Sequence, residues 1–168
     1  MIQEALTYND VLLVPQYSDV RSRNEVRLTS NLSDNQFGLP IIASPMDTIS
    51  ESDMAVAMAQ QGGLAIVHRY NSIHEQRLHC DKASLRGATV GAAIGTSGDY
   101  LDRATALYAA GVRILCVDVA HGHHILMKEA LTKLRQAFDY DVHIMAGNIA
   151  TLEGYNDLVD WGADSVRC

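Results

Sequence analysis

The 168-residue sequence is short of cysteine, proline, aromatic residues and basic charge. Three cysteines, Cys80, Cys116 and Cys168, are too few and too scattered for a disulfide framework or a zinc knuckle. All three prolines fall before residue 46, which leaves the glycines as the punctuation between apolar runs. Thirteen Lys and Arg stand against twenty Asp and Glu, a formal net charge of −7, which argues against nucleic acid or an anionic membrane as the main partner. No apolar run approaches the roughly 18 residues of a membrane span. The opening MIQEALTYND has neither the basic region nor the apolar stretch of a signal peptide. No linker, charge block or low-complexity stretch divides the chain. With 48% hydrophobic residues the chain can build a core, since a domain of this size buries roughly 70% of its unfolded surface. A soluble, cytoplasmic single domain is expected.

What is present is an alternation. Short apolar runs at 39–44 (LPIIAS), 63–67 (GLAIV), 89–94 (TVGAAI), 114–119 (ILCVDV), 142–146 (VHIMA) and 163–167 (ADSVR) suit strands buried on both faces of a parallel sheet. Between them, 50–61, 72–83, 99–110, 124–138 and 151–161 read as helices, three of them stopped by Gly62, Gly111 and Gly162. Ser50 and Thr151 are expected N-caps, each ahead of an acidic first turn. Strands recur roughly every 21 to 28 residues, the period of a βα unit with a right-handed crossover. Residues 6–14 and 26–32, on either side of a turn at Pro15, form an extended lead-in. The pattern leaves two α/β architectures open: a complete open sheet, or a (β/α)8 barrel truncated after about the sixth strand, since a closed barrel takes about 250 residues.

In parallel α/β folds the working residues gather past the C-terminal ends of the strands. That filter selects 44–48 (SPMDT), 68–70 (HRY), 95–98 (GTSG), 118–124 (DVAHGHH) and 147–148 (GN). An acid at a strand end such as Asp118 can hydrogen-bond the hydroxyl pair of a ribose. His121 and His123 offer a rival reading as ligands of a barrel metal hydrolase, although no other carboxylate–histidine grouping stands nearby except His68 with Asp47. His74, His79 and His143 fall within a helix or strand and read as surface or satisfied structural residues. Gly91, Gly95 and Gly98 are not the spaced dinucleotide fingerprint, and no P-loop lysine follows them. Cys116 lies in an apolar strand and reads as packing, and Cys80 has no clear partner. Cys168 stands at a strand end without a visible general base.

The same loops resemble the IMP dehydrogenase/GMP reductase family. The stretches that carry the likeness are LTYNDVLLVPQYS near the start, PIIASPMDT at 40–48, GGLAIVHR at 62–69, VGAAIGT at 90–96, VDVAHGH at 117–123, AGNIAT at 146–151 and GADSVR at 162–167. The resemblance implies an eight-fold βα barrel, usually tetrameric, that binds a purine nucleotide (IMP, XMP or GMP) and NAD or NADP at the strands' C-terminal face. It favours the truncated barrel, with residues 1–168 as the N-terminal part of one catalytic domain. The short connection from His68 to Thr89 leaves no room for the regulatory CBS insertion.

By position, the resemblance assigns Ser44, Met46, Asn148 and Arg167 to the nucleotide. It assigns Asp118, Val119, Ala120, His68 and Arg69 to the dinucleotide, and gives Thr96 a supporting place near the reacting centre. No metal site is implied, and the family's monovalent-cation site falls outside the chain. The implied nucleophile is a cysteine several residues beyond Arg167, so Cys168 is not it; the chain alone is expected to be inactive and to need a C-terminal partner or a longer product. The family's thiolate attacks purine C2 and hydride passes between the adduct and nicotinamide, oxidising IMP to XMP or returning GMP to IMP with release of ammonia. ASPMDT, the GG at 62–63 and GAAIGT look like the dehydrogenase, whereas SRNEV at 22–26, IMAGN at 144–148 and the short connection look like the reductase. The balance tilts to NAD-dependent IMP oxidation. A non-catalytic nucleotide-binding or interaction module is the remaining alternative.

Overall fold

The computed structural model describes residues 5–7 and 9–168, so Tyr8 of the lead-in lies outside the described residues. The lead-in forms no strand over residues 11–22, where Leu12 and Leu13 are almost fully exposed. A short 3-10 turn at Arg23–Glu25 is followed by an antiparallel hairpin of β1 (Ser30–Leu32) and β2 (Asn35–Phe37), of which the apolar pattern shows only the first strand.

Six strands then alternate with five helices: β3 (Ile42–Ala43), α1 (Ser52–Gln60), β4 (Leu64–Val67), α2 (Ile73–Leu85), β5 (Gly91–Ile94), α3 (Tyr100–Ala109), β6 (Ile114–Asp118), α4 (Ile125–Phe138), β7 (His143–Gly147), α5 (Leu152–Asp160) and β8 (Ser165–Arg167). The strands pair in parallel, in the order β3-β4-β5-β6-β7-β8. The sheet curls without closing: a cavity of about 130 Å³ is lined by Ile42, Ser44, Pro45 and Ile66 from one end and by Met145 and Arg167 from the other, yet β3 and β8 do not pair. This is the barrel truncated after about its sixth strand, not the complete open sheet. The connection from β4 to β5 holds α2 and its loops, with no inserted domain.

Side chains alternate across a strand, and the alternation sorts the apolar residues into two layers. Ala65, Val67, Ala92, Ile94, Leu115, Val117, Ile144 and Ala146 face outward into the helices. Leu64, Ile66, Ala93, Ile114, Cys116 and Met145 face inward, where Phe37 from the hairpin closes the floor with Leu32 packed against the cluster. On α4, Met127, Ala130, Leu131, Leu134 and Phe138 recur at helical spacing and are buried. Truncating one of the large ones, such as Leu134, to alanine would cost about 2–5 kcal/mol. Gly62, Gly111 and Gly162 end α1, α3 and α5 with φ of 80°, 90° and 110°, a backbone that L side chains rarely adopt. Thr151 caps α5 by accepting from the Gly154 amide at 3.0 Å.

The expectation for Ser50 fails. Glu51 occupies the N-cap of α1 without a side-chain cap bond, and the Ser50 hydroxyl instead donates back to the Ser44 carbonyl. A hydroxyl can bond either side of a tight connection, and here the Ser44 carbonyl captures that of the buried Ser50. Among the described residues no helix is long and apolar enough to cross a membrane.

Candidate nucleotide-binding rim

The inward-facing series of β6 and β8 continues past the core into charge. After Ile114 and Cys116 comes Asp118, and after Ser165 comes Arg167. Their side chains meet, Arg167 Nη1 donating to Asp118 Oδ1 at 2.6 Å, with side-chain exposures of 24% and 18%. The same nitrogen lies 3.3 Å from Cys116 Sγ. Burial pushes the Cys116 thiol up to about 11, against the pull of Arg167, so at neutral pH the contact is an N–H···S bond and Asp118 is the charge partner. Burial works against the Arg167 charge, but Cys116 and Asp118 outweigh it and its pKa is raised.

Two loops lock together beside this pair. Val119 N–H donates to Gly147 O (3.0 Å), Asn148 N–H to Val119 O (2.8 Å), Gly122 N–H to Asn148 O (2.6 Å) and Ile149 N–H to Arg167 O (3.0 Å). A Cβ at Gly122 would lie 3.0 Å from Asn148 O, which explains glycine between His121 and His123. Asn148 Oδ1 is buried without a partner. From the β4 side Arg69 reaches across, Nη2 donating to the Asp118 carbonyl at 3.2 Å, while its Nε is also buried and unpartnered. Gly95 lies under the Arg69 guanidinium, a Cβ there falling 3.4 Å from Nη1.

The other expected residues are spread around this centre. Ser44, Met46 and Ala120 are exposed at the rim, while Thr96 and Val119 are half-buried. His68 stands behind it, 2% exposed. Its Nδ1 accepts from the Tyr70 amide (3.2 Å), so the proton sits on Nε2 and points to Glu51 Oε1 at 3.2 Å, with Asp47 3.9 Å away. His79 Nε2 is 3.8 Å from the same carboxylate oxygen. Glu51 and His79 belong to this cluster although the sequence marked them only as a first-turn acid and a surface histidine. The metal-hydrolase pair does not converge: His123 Nε2 bonds Asp157 Oδ2 on α5 at 2.8 Å, whereas His121 is exposed. Among the described residues no group of three or more His, Cys, Asp or Glu side chains is arranged to hold a metal ion. His74 is exposed, and His143 is satisfied between Ser33 Oγ (2.8 Å) and Ser165 Oγ (2.9 Å).

A larger cavity lies elsewhere. About 680 Å³ in volume, it is lined by Leu6, Thr7 and Val11 of the lead-in, residues 149–152, Tyr155 and the exposed Cys168. Its lining is mostly apolar, whereas polar groups converge at Asp118 and Arg167, which makes that end of the sheet the candidate binding site.

Residues 5–168 match the IMP dehydrogenase / GMP reductase domain. Inosine-5'-monophosphate dehydrogenase from Borreliella burgdorferi is 31% identical over 98% of this chain and 53% of its own length. GMP reductase from Albidiferax ferrireducens is 30% identical over 98% of the chain and 50% of its length. Among solved structures, inosine 5'-monophosphate dehydrogenase from Legionella pneumophila superimposes with a TM-score of 0.83 at 39% identity, covering 97% of this chain and 50% of that one. GMP reductase from Trypanosoma brucei, in complex with guanosine 5'-triphosphate, gives 0.82 at 26%, covering 98% and 71%. The chain thus spans about half the length of the curated relatives it matches. With the motifs, the strand order and the curled sheet all running along nearly the whole of that match, the chain belongs to the IMP dehydrogenase/GMP reductase family.

Proposed function

We propose that this chain forms the nucleotide-binding rim of a purine-nucleotide oxidoreductase barrel that oxidises IMP to XMP with NAD. The observation that supports the reading most is the convergence of Asp118, Arg167, Arg69 and Asn148 at one end of the sheet. The unpartnered Asn148 Oδ1 and Arg69 Nε supply an acceptor and a donor suited to a hydroxyl-rich, anionic ligand. In this reading Ser44, Met46, Asn148 and Arg167 hold the purine nucleotide. Asp118, Val119, Ala120 and Arg69 hold the dinucleotide, His68 braces the loop behind them, and Thr96 supports the reacting centre. The nicotinamide, when bound, supplies the hydride acceptor. Cys80 and Cys116 are buried thiols pushed up to about 12 and about 11, so neither is the thiolate nucleophile. The rest of the barrel, on a longer product or a complementing chain and within a homo-oligomer, supplies that group, in the cytoplasm.

Calorimetric titration of the chain with IMP, GMP, NAD and NADPH tests the binding. IMP and NAD are expected to bind, and failure of a folded chain to take up any purine nucleotide refutes the reading. After addition of the missing part of the barrel, NAD reduction with IMP supports the stated direction. NADPH oxidation with GMP supports instead the reductase reading, which SRNEV, IMAGN and the uninterrupted β4–β5 connection favour. Binding without turnover from a closed, reconstituted barrel leaves the non-catalytic module.

A further inference from the structure

Two polar side chains occupy core positions and touch no proposed ligand: Gln76 on α2 and Arg103 on α3, 0% and 6% exposed. Gln76 Nε2 donates to the carbonyls of Val67 on β4 (3.2 Å) and Ala93 on β5 (2.8 Å). Its Oε1 accepts from Arg103 Nη1 at 2.9 Å. The arrangement assigns the amide orientation, because the flipped form would set an oxygen against two carbonyls and an NH2 against a guanidinium. Arg103 Nη2 donates to the backbone carbonyl of Asn71 (3.0 Å) and to Asp99 Oδ2 (2.8 Å).

An apolar pair would join these helices at least as stably, because a buried guanidinium must first lose its water. What an apolar pair could not do is hold a carbonyl. The carbonyl held is that of Asn71, which ends the segment 68–71 following β4. That segment carries Arg69, whose guanidinium spans the rim over Gly95 to the Asp118 carbonyl. One hydrogen-bonded path therefore runs from two strand ends, through α2 and α3, to the backbone that aims Arg69.

We propose that Arg103, oriented by Gln76, is the positioning residue for Arg69: it fixes the 68–71 segment so that Arg69 lies across the dinucleotide side of the rim. The proposal rests on the nucleotide-binding reading above. Arg103→Lys tests it, since lysine keeps the charge and the apolar stem but lacks the two-nitrogen fork that serves Gln76 and Asn71 together. In the full chain, hydrogen exchange at the Tyr70 amide is expected to quicken by about tenfold or more, with the β4 amides within about twofold. Calorimetry is expected to show NAD binding weakened by about tenfold or more and IMP binding within about threefold. Leu134→Ala, on the distant α4, should lower stability without moving either ratio.

Uniform quickening of loop and strand amides, or equal weakening of NAD and IMP, makes Arg103 general support and overturns the proposal. If the lysine variant does not fold, the unaltered chain decides: Tyr70 should open together with the Ala104 and Leu107 amides of α3, and independent opening overturns the proposal. If neither nucleotide binds the parent chain but the loop loosens selectively, loop positioning stands and the nucleotide reading falls. If NAD binds parent and variant alike, the proposal falls alone.

Discussion

Gly91 sits on β5 opposite Ile66 and Ile114, facing the interior of the curled sheet. An alanine Cβ there would lie 2.4 Å from Ile66 Cδ1, 3.3 Å from Ile114 Cγ2 and 3.4 Å from Ile114 O. Ordinary carbon contacts are about 3.5–4.0 Å, so the Ile66 δ-methyl must move by more than an ångström in a packed interior. Gly91→Ala is expected to cost about 1–3 kcal/mol. Ile66→Val alone removes the obstructing methyl and costs about 0.5–1.5 kcal/mol. In that background the two Ile114 contacts remain but the severe one is gone, and alanine reduces unfolded-chain entropy by about 0.4–1 kcal/mol. Gly91→Ala should then cost only about 0–1 kcal/mol, a coupling of about 1–2 kcal/mol between the two sites. Urea unfolding of the four proteins, followed by circular dichroism with a constant slope, measures it. An equal cost of Gly91→Ala in both backgrounds would refute the argument that Ile66 fills the space glycine leaves.

Arg167→Met leaves the Asp118 carboxylate without its partner; stability should fall by about 1–3 kcal/mol, and calorimetry should show weaker purine-nucleotide binding. His143 is held below the ordinary histidine range by burial, with Arg135 adding to the shift and Asp164 opposing it. Its folded form resists the proton that the unfolded chain accepts near pH 6.5, so its contribution is intact above about 6.5 and lost as the pH falls below it. Unfolding measured from pH 8 to 5 should show the parent losing ground to His143→Gln toward acid, and the opposite trend contradicts the assignment. A thiol reagent should modify only the exposed Cys168 in the folded chain and all three cysteines in denaturant, counted by mass. Ser72 and Glu75 form a capping box on α2, and Ser72→Ala should lower the urea midpoint by the equivalent of about 1 kcal/mol.

Where the hydrophobic pattern had one physical cause, the sequence was a sufficient guide. The run 114–119 is apolar on both faces because helices cover one side and the barrel interior the other, and β6 forms at Ile114–Asp118. The run 39–44 shrinks to a two-residue ladder because β3 has a neighbour on one side only. β2 was hidden because Asn35 and Gln36 are polar and only Phe37 turns inward. Of the site, Asp118, Arg167, Asn148 and Arg69 were visible from strand ends and motifs. Gln76 and Arg103 were not, since a polar residue inside a helix looks the same whether it faces solvent or bonds buried carbonyls. Gln76 and Arg103 did leave a trace, each standing on the helix stripe that also carries Cys80 and Ala83, or Ala104 and Leu107.

Each strand of the parallel sheet pairs with the strand that precedes it in the chain, so spatial order repeats sequence order from β3 to β8. Among the described strands, each from β4 to β8 finds the partner before it already in place. As the polypeptide leaves the ribosome, every new βα unit can dock on a template already made, and the entropy of closing each loop is that of one crossover alone. The growing sheet always offers one fresh edge, at first β4, later β8, which gives assembly a direction from N-terminus to C-terminus. Pairing of this kind makes the order of synthesis and the order of assembly the same.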